Sequence, residues 1–163
     1  MAQPPKNPPA DAGSQAGYRL LDKRFSLDLG PQWIDRSIYR FEGPLADGIQ
    51  HYITVTIESD LSQTDLEAYA TLQIKALESE LQGYHELKRG PLLLASRQPA
   101  YELVYQWCPA EGVELYQRHL WVLHQRTGYA LTAAFSKKTW KLLGDEVDRI
   151  LRSLRLPPPG GER

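Results

Sequence analysis

The stretch "LYQRHLWVLHQRTGYALTAAFS", from Leu115 to Ser136, constrains the fold more than any other part of the chain. It reads as a β-hairpin, two strand-forming runs joined by a short turn. On the first strand Leu115, Gln117, His119, Trp121 and Leu123 share one side, while Tyr116, Arg118, Leu120 and Val122 share the other. A sheet packed on one face alternates apolar and polar positions, but this strand puts apolar or uncharged side chains on both. Any fold for the chain has to account for what meets each face.

The remaining elements follow from changes of period. "RFSLDLG" places Phe25, Leu27 and Leu29 on one side of a strand that Gly30 and Pro31 stop. A loop follows in which Trp33 reads as a core residue ahead of a turn, with Asp35 or Ser37 bonding nearby backbone. "SIYRFEG" alternates again, and "HYITVTIES" is the clearest strand, with Ile53, Val55 and Ile57 facing away from Tyr52, Thr54, Thr56 and Glu58. In "SQTDLEAYATLQIKALESELQG" the spacing becomes helical at Leu66, Tyr69, Ala70, Ile74, Leu77 and Leu81, with Ser62 or Thr64 as N-cap and Gly83 just past the end. "HELKRGPLLLAS" and "AYELVYQWC" read as strands joined through Arg97 to Pro99. After the hairpin, Ser136 caps a final helix whose stripe is Trp140, Leu143, Val147, Ile150, Leu151 and Leu154, and Pro157 ends it. This order predicts an α+β fold: a curved, largely antiparallel sheet of about six or seven strands with two main helices packed on one face.

A chain of 163 residues, 42% hydrophobic and 24% charged, suits one ordinary globular domain, expected over residues 18–156. Residues 1–17 hold four prolines and few large apolar groups, so they read as a flexible tail, and residues 157–163 as a shorter one. Nineteen basic against twenty acidic side chains leave no net field for a phosphate backbone, so no nucleic-acid partner is expected. The polar, proline-rich start does not resemble a secretory signal, which suggests a cytoplasmic protein. A lone cysteine, Cys108, rules out an internal disulfide and reads as a buried residue. No apolar run reaches the roughly 18 residues of a membrane-spanning helix.

Motifs for catalysis are missing: no GxSxG, HExxH, CxxC or GxxxxGK[ST] occurs, so neither an enzyme nor a metal or cofactor is expected. His119 and His124 lie five apart on a strand and point to opposite faces, while His51 and His85 suit surface or loop positions. Glu78 and Glu80 read as the solvent side of the first helix, and Asp145, Glu146 and Asp148 as that of the second.

If both helices cover the face bearing Ile53, Val55, Ile57, Tyr101, Leu103, Tyr105 and Trp107, the other face shows Thr54, Thr56, Val104, Gln106, Cys108, Ala130, Thr132 and Ala134. That surface forms a charge-poor trough in which an apolar helix fits, with glutamine amides as hydrogen-bonding groups. The chain's own loops, or a second copy in a homodimer, are the other covers open to it.

The ordered set "WIDRS", "LEAYATLQIKALESELQGY", "PAYELVYQW", "YQRHLWVL", "YALTAAFS" and a last helix ending in "SLRL" resembles the DcrB-related domain family, over roughly Tyr18 to Leu156. That family includes the Eag chaperones of bacterial type VI secretion and has a PsbP-like architecture. The resemblance implies a non-enzymatic cytoplasmic chaperone or adaptor that holds the hydrophobic N-terminal transmembrane helices of a secreted effector. Such helices aggregate in water, and burying them at about 25 cal/mol per Å2 gives a sticky open face a purpose. By motif, the resemblance puts Gln73, Gln117, Ile38 and Thr54 at the client, and the trough reading adds Thr56 and Gln106. His119 stands in "QRH", where Eag members usually have "QRQ", and the "SRQP" turn lacks a glycine. A general interaction domain of the same fold, acting through homodimerisation, is the alternative.

Overall fold

The structure, a computed structural model of the chain, describes residues 19–21, 26–28, 30–34 and 36–158. The predicted tail at 1–17, most of the one after Pro157, and Asp35 lie outside the described residues. The chain divides after residue 35 into two units. In the first, β1 (Arg19–Leu21) pairs antiparallel with β2 (Ser26–Asp28), Leu20 opposite Leu27. β2 falls inside the predicted "RFSLDLG" strand, whereas the alternation does not signal β1. The Trp33 N–H closes a turn on the Gly30 carbonyl at 3.0 Å, and the Trp33 side chain is exposed, not core.

The second unit carries, in order, β3 (Ile38–Ala46), β4 (Ile49–Glu58), α1 (Leu66–Glu80), β5 (His85–Leu93), β6 (Pro99–Ala110), β7 (Val113–His124), β8 (Thr127–Phe135) and α2 (Lys137–Arg152). Its strands form one antiparallel sheet in the order β3-β4-β8-β7-β6-β5. Tight turns set most of the connections. Asp47 and Gly48 adopt φ of 52° and 72°, the left-handed pair that a two-residue hairpin favours. At the β7–β8 turn Gln125 and Arg126 do the same without glycine, at roughly 1 kcal/mol each. There Leu61 N–H bonds the Arg126 carbonyl at 2.9 Å and Arg126 Nε bonds the Leu61 carbonyl at 3.1 Å, holding the strained turn in place. In the glycine-free turn between β5 and β6, Arg97 itself takes φ 66°.

Helix caps match the sequence in one case and move in the other. Ser136 caps α2 in a capping box with Thr139, as expected. α1 is capped by Asp65, whose carboxylate accepts from Ala68 N–H at 2.8 Å, instead of Ser62 or Thr64. A carboxylate at that position also suits the positive end of the helix dipole.

The largest departure concerns the faces. Tyr69, Ala70 and Ile74 of α1 pack on Tyr101, Leu103 and Tyr105 of β6 and Trp121 of β7. Leu151 and Val147 of α2 pack on Ala100, Leu120, Val122 and Leu131. Odd positions of β6 and β7 therefore face α1 and even positions face α2, so the helices cover opposite faces, not one. This corrects the expected arrangement and answers the question posed by the hairpin. β7 is sticky on both sides because each side lies beneath a helix, and each fully buried Leu or Val contributes about 1.5–3 kcal/mol. The register also separates residues grouped together from the sequence. Ile53 lies opposite Ala133, Ala133 opposite Arg118, and Arg118 opposite Val104, so Ile53 and Val55 share a face with Val104, away from Leu103.

Candidate functional site

α1 lies over β6 and β7 and leaves the β8, β4 and β3 side of its face open. The floor there is Ala130, Thr132 and Ala134 of β8 beside Thr54 and Thr56 of β4, all half-buried, with the Thr54 and Thr132 hydroxyls hydrogen bonded across the strands. Three strand spacings of about 4.8 Å separate β7 from β3, so the trough is roughly 14 Å wide, enough for a helix about 10 Å across. Ile38 of β3, 64% exposed and opposite Thr56, forms part of the far rim. On this rim Arg40 stacks over the Tyr52 ring at 3.9 Å and lies 3.7 Å from Glu42, and at the end of β4 Glu58 faces Arg36 at 3.6 Å.

The α1 wall is fixed at Gly128 of β8. A side chain there would meet the Tyr69 hydroxyl and Leu61 Cδ1, so the missing Cβ is what lets α1 approach. Burial and the nearby Glu58 carboxylate push the Tyr69 phenol up to about 12. Gln73, one turn beyond Tyr69 on the same flank of α1, is half-buried.

At the inner edge the polar atoms are already partnered. Trp107 Nε1 donates to Gln117 Oε1 at 2.9 Å, which orients the amide and points Gln117 Nε2 at His119 Nε2, 3.1 Å away. The Tyr105 hydroxyl reaches the same nitrogen at 3.2 Å. An amide NH2 only donates, so His119 Nε2 accepts and the ring carries its proton on Nδ1. Burial drives the His119 pKa down to about 4. His119 is thus a buried support for Gln117, packed between Tyr105 and Trp121, with little surface of its own.

Of the sequence-derived set, Ile38, Thr54, Thr56, Gln73, Gln117 and His119 come together on the α1 face. Gln106 does not: it lies opposite Tyr116, on the α2 side, and its amide reaches Glu114 at 3.3 Å. Val104 leaves the trough for the same reason, its even position in β6.

The α2 face holds features that the sequence reading missed. Between α2 and the β3–β4 edge runs a mostly apolar slot, two adjoining cavities of about 300 and 250 Å3 that share Phe41, Ile53 and Ile150. Val55, Leu131 and Leu154 line one part, and Leu143 and Val147 the other. The alternate apolar positions Tyr39 and Phe41, together with the wide stripe of α2, were the available signal. Beneath α2 the Glu102 carboxylate, 2% exposed, faces Lys88 Nζ at 2.6 Å, Arg118 Nε at 3.5 Å and Arg152 Nη2 at 3.8 Å. Asp148 accepts from Arg118 at 2.7 Å and from Arg152 at 2.8 Å. Asp148 is therefore a half-buried ion partner, not a solvent-facing residue. His51 is likewise buried, not a surface or loop residue: its Nδ1 faces the Pro44 carbonyl and its Nε2 the Thr139 hydroxyl, at 3.1 and 2.9 Å.

Among the described residues no three His, Cys, Asp or Glu side chains gather as a metal site, and no helix is long and apolar enough to cross a membrane. No curated protein matches the chain. Solved structures share its architecture, among them the following two. PA94, a Pseudomonas aeruginosa protein of unknown function for which a regulatory role has been suggested, superposes with a TM-score of 0.74 at 18% identity, covering 88% of this chain and 99% of that one. Cyanobacterial PsbP (CyanoP) from Synechocystis sp. PCC 6803 gives 0.51 at 13% identity, covering 89% and 95%. At such identities these likenesses establish the fold, which is PsbP-like. The DcrB family profile matches residues 25–149, a stretch that holds the whole six-stranded sheet, all of α1, and α2 as far as Arg149, and on that match the chain belongs to the DcrB family.

Proposed function

We propose that the chain is a non-enzymatic chaperone or adaptor that holds apolar N-terminal transmembrane helices of a type VI secretion effector in the trough beside α1. The observation that carries this reading is the floor itself: Thr54, Thr56, Ala130, Thr132 and Ala134 form a half-exposed, uncharged surface of small side chains, wide enough for one helix. Small residues let a helix backbone approach closely, and hydroxyl and amide groups at the margin match its few polar atoms. The Gln117 amide, oriented by Trp107 and backed by His119, enters this role preorganised, so ordering it on binding costs little. Neither the DcrB family nor the PsbP-like fold is known for enzymes, which is consistent with a holding role.

Co-expression with a paired-helix effector N-terminus tests the assignment. Thr54→Arg places a long cation on the floor and should cut the recovered client by about tenfold, an effect near 1.4 kcal/mol, while the thermal midpoint moves by no more than about 4 °C. Equal recovery by the wild type and the variant sinks the trough. A dimer in light scattering that Thr54→Arg dissociates assigns the trough to a second copy instead.

A further inference from the structure

The two outer strands of the sheet are finished differently. β5 is guarded: it carries Lys88, Arg89 and Pro91, a bulge between Glu86 and Lys88, and Gly90 at φ 154°. Charges, proline and bulges are the devices that keep a sheet edge from pairing. β3 pairs with β4 without interruption from Ile38 to Glu42 and exposes Ile38, Tyr39 and Phe41, with its bulge and Pro44 only beyond Glu42. The Ile57 N–H to Ser37 carbonyl bond of 3.3 Å sets the phase of this ladder. Alternation then turns the backbone groups of Ile38, Arg40 and Glu42 away from β4, toward the outside of the sheet. Directly below the same edge, on the α2 face, opens the apolar slot floored by Ile53 and flanked by Phe41 and Ile150.

We infer that the β3 edge takes up an extended segment of another protein as an added antiparallel strand, apolar at alternate positions and bearing a basic then an acidic residue between them. Its apolar side chains lie beside Tyr39 and Phe41 over the slot. Its charged residues fall on the other face, the basic one opposite Glu42 and the acidic one opposite Arg40, both of which are more than half exposed. A second copy of this chain fits less well. A two-fold centred on Arg40 sets arginine against arginine. One centred on Phe41 pairs Arg40 with Glu42 but brings Ile38 opposite Pro44, which has no N–H to give. A proline-free peptide can use Ile38, Arg40 and Glu42 together. The added strand borders the trough at its far rim but does not use the floor of Thr54, Thr56, Ala130, Thr132 and Ala134, so loss of a client with Thr54→Arg and loss of the peptide with Arg40→Glu are separate outcomes.

The probe is the fluorescein-labelled peptide Val-Lys-Val-Glu-Val-Thr-Val, followed by anisotropy with the full chain. Binding is expected, and N-methylation of its Lys and Glu, whose N–H groups face β3, should weaken it by about tenfold or more, because ladder hydrogen bonds are lost. N-methylation of the two Val residues flanking that Glu, whose N–H groups face outward, should leave it within about twofold. Arg40→Glu should weaken the peptide, and replacing the peptide's Glu by Lys should restore it. No binding, or equal loss from both methylation patterns, overturns the proposal. So does a dimer in light scattering that Phe41→Asp dissociates while the peptide stays unbound.

Discussion

Beneath α1 the polar atoms belong to Tyr105, His119, Gln117 and Trp107, a chain of uncharged donors and acceptors, whereas beneath α2 Glu102, Arg118, Asp148 and Arg152 carry full charges. Both clusters sit on neighbouring strands of one sheet, yet they shape their surroundings in opposite ways. A neutral network is satisfied by few partners and can border an open trough. Buried ions need each other, so Arg118 on the sheet and Asp148 and Arg152 on the helix tie α2 to the strands. The face beside α1 is consequently small-featured and polar at its margin. The face beside α2 is sealed by ions under the helix and left apolar toward β3.

The largest expected effect comes from breaking the charged side. Glu102→Ala leaves Arg118, Arg152 and Lys88 without their shared carboxylate and should cost about 3 kcal/mol in urea denaturation. A loss under about 1 kcal/mol would mean that water and Asp148 suffice for those cations.

The neutral side should show itself through pH. His119 titrates near 4 in the folded protein against 6.5 for an ordinary histidine. Between those values the unfolded chain binds a proton that the folded chain does not, so stability is whole above about pH 6.5 and falls as pH drops toward 4. At pH 5 the loss is about 2 kcal/mol. Denaturation of the wild type and His119→Phe at pH 7.5 and pH 5 should show the gap between them shift by that amount in favour of the variant. A constant gap would place His119 in contact with water or a carboxylate.

The smallest contrast lies at the helix starts. Ser136 bonds Thr139 N–H and also Asp47 of the β3–β4 turn, at 3.1 and 2.7 Å, whereas Asp65 bonds Ala68 N–H alone. Ser136→Ala should cost about 1.5 kcal/mol and Asp65→Ala about 0.5, read as urea midpoints. The reverse order would show that the dipole of α1 outweighs the extra link of α2.

Most of the elements were legible because each carries its own period. "HYITVTIES" alternates in two, α1 and α2 repeat near 3.6, and Ser136 announces α2 through its cap. Thr54 and Thr56 share one side of β4 by alternation, whereas Ile38, Gln73 and Gln117 were grouped with them only by the family resemblance. Gln106 and Val104 were not separable from them. Nothing within β6 says which of its faces continues the Thr54 side of β4, since β8 and β7 intervene and a one-residue change of register inverts the answer. Glu102 and Asp148 were hidden for a related reason: a charge looks solvated until its partner on another element is known.

The sequence alone determined most of the strands and both helices, and that β7 carries apolar or uncharged side chains on both sides, because those properties rest on local backbone preference and on side chains a few positions apart. Only the tertiary structure decided that α1 and α2 take opposite faces, that β3 is left as the unguarded edge, and that Glu102 finds its cations. These depend on registers between strands distant in sequence, and a single peptide unit of slippage would have exchanged one surface for the other.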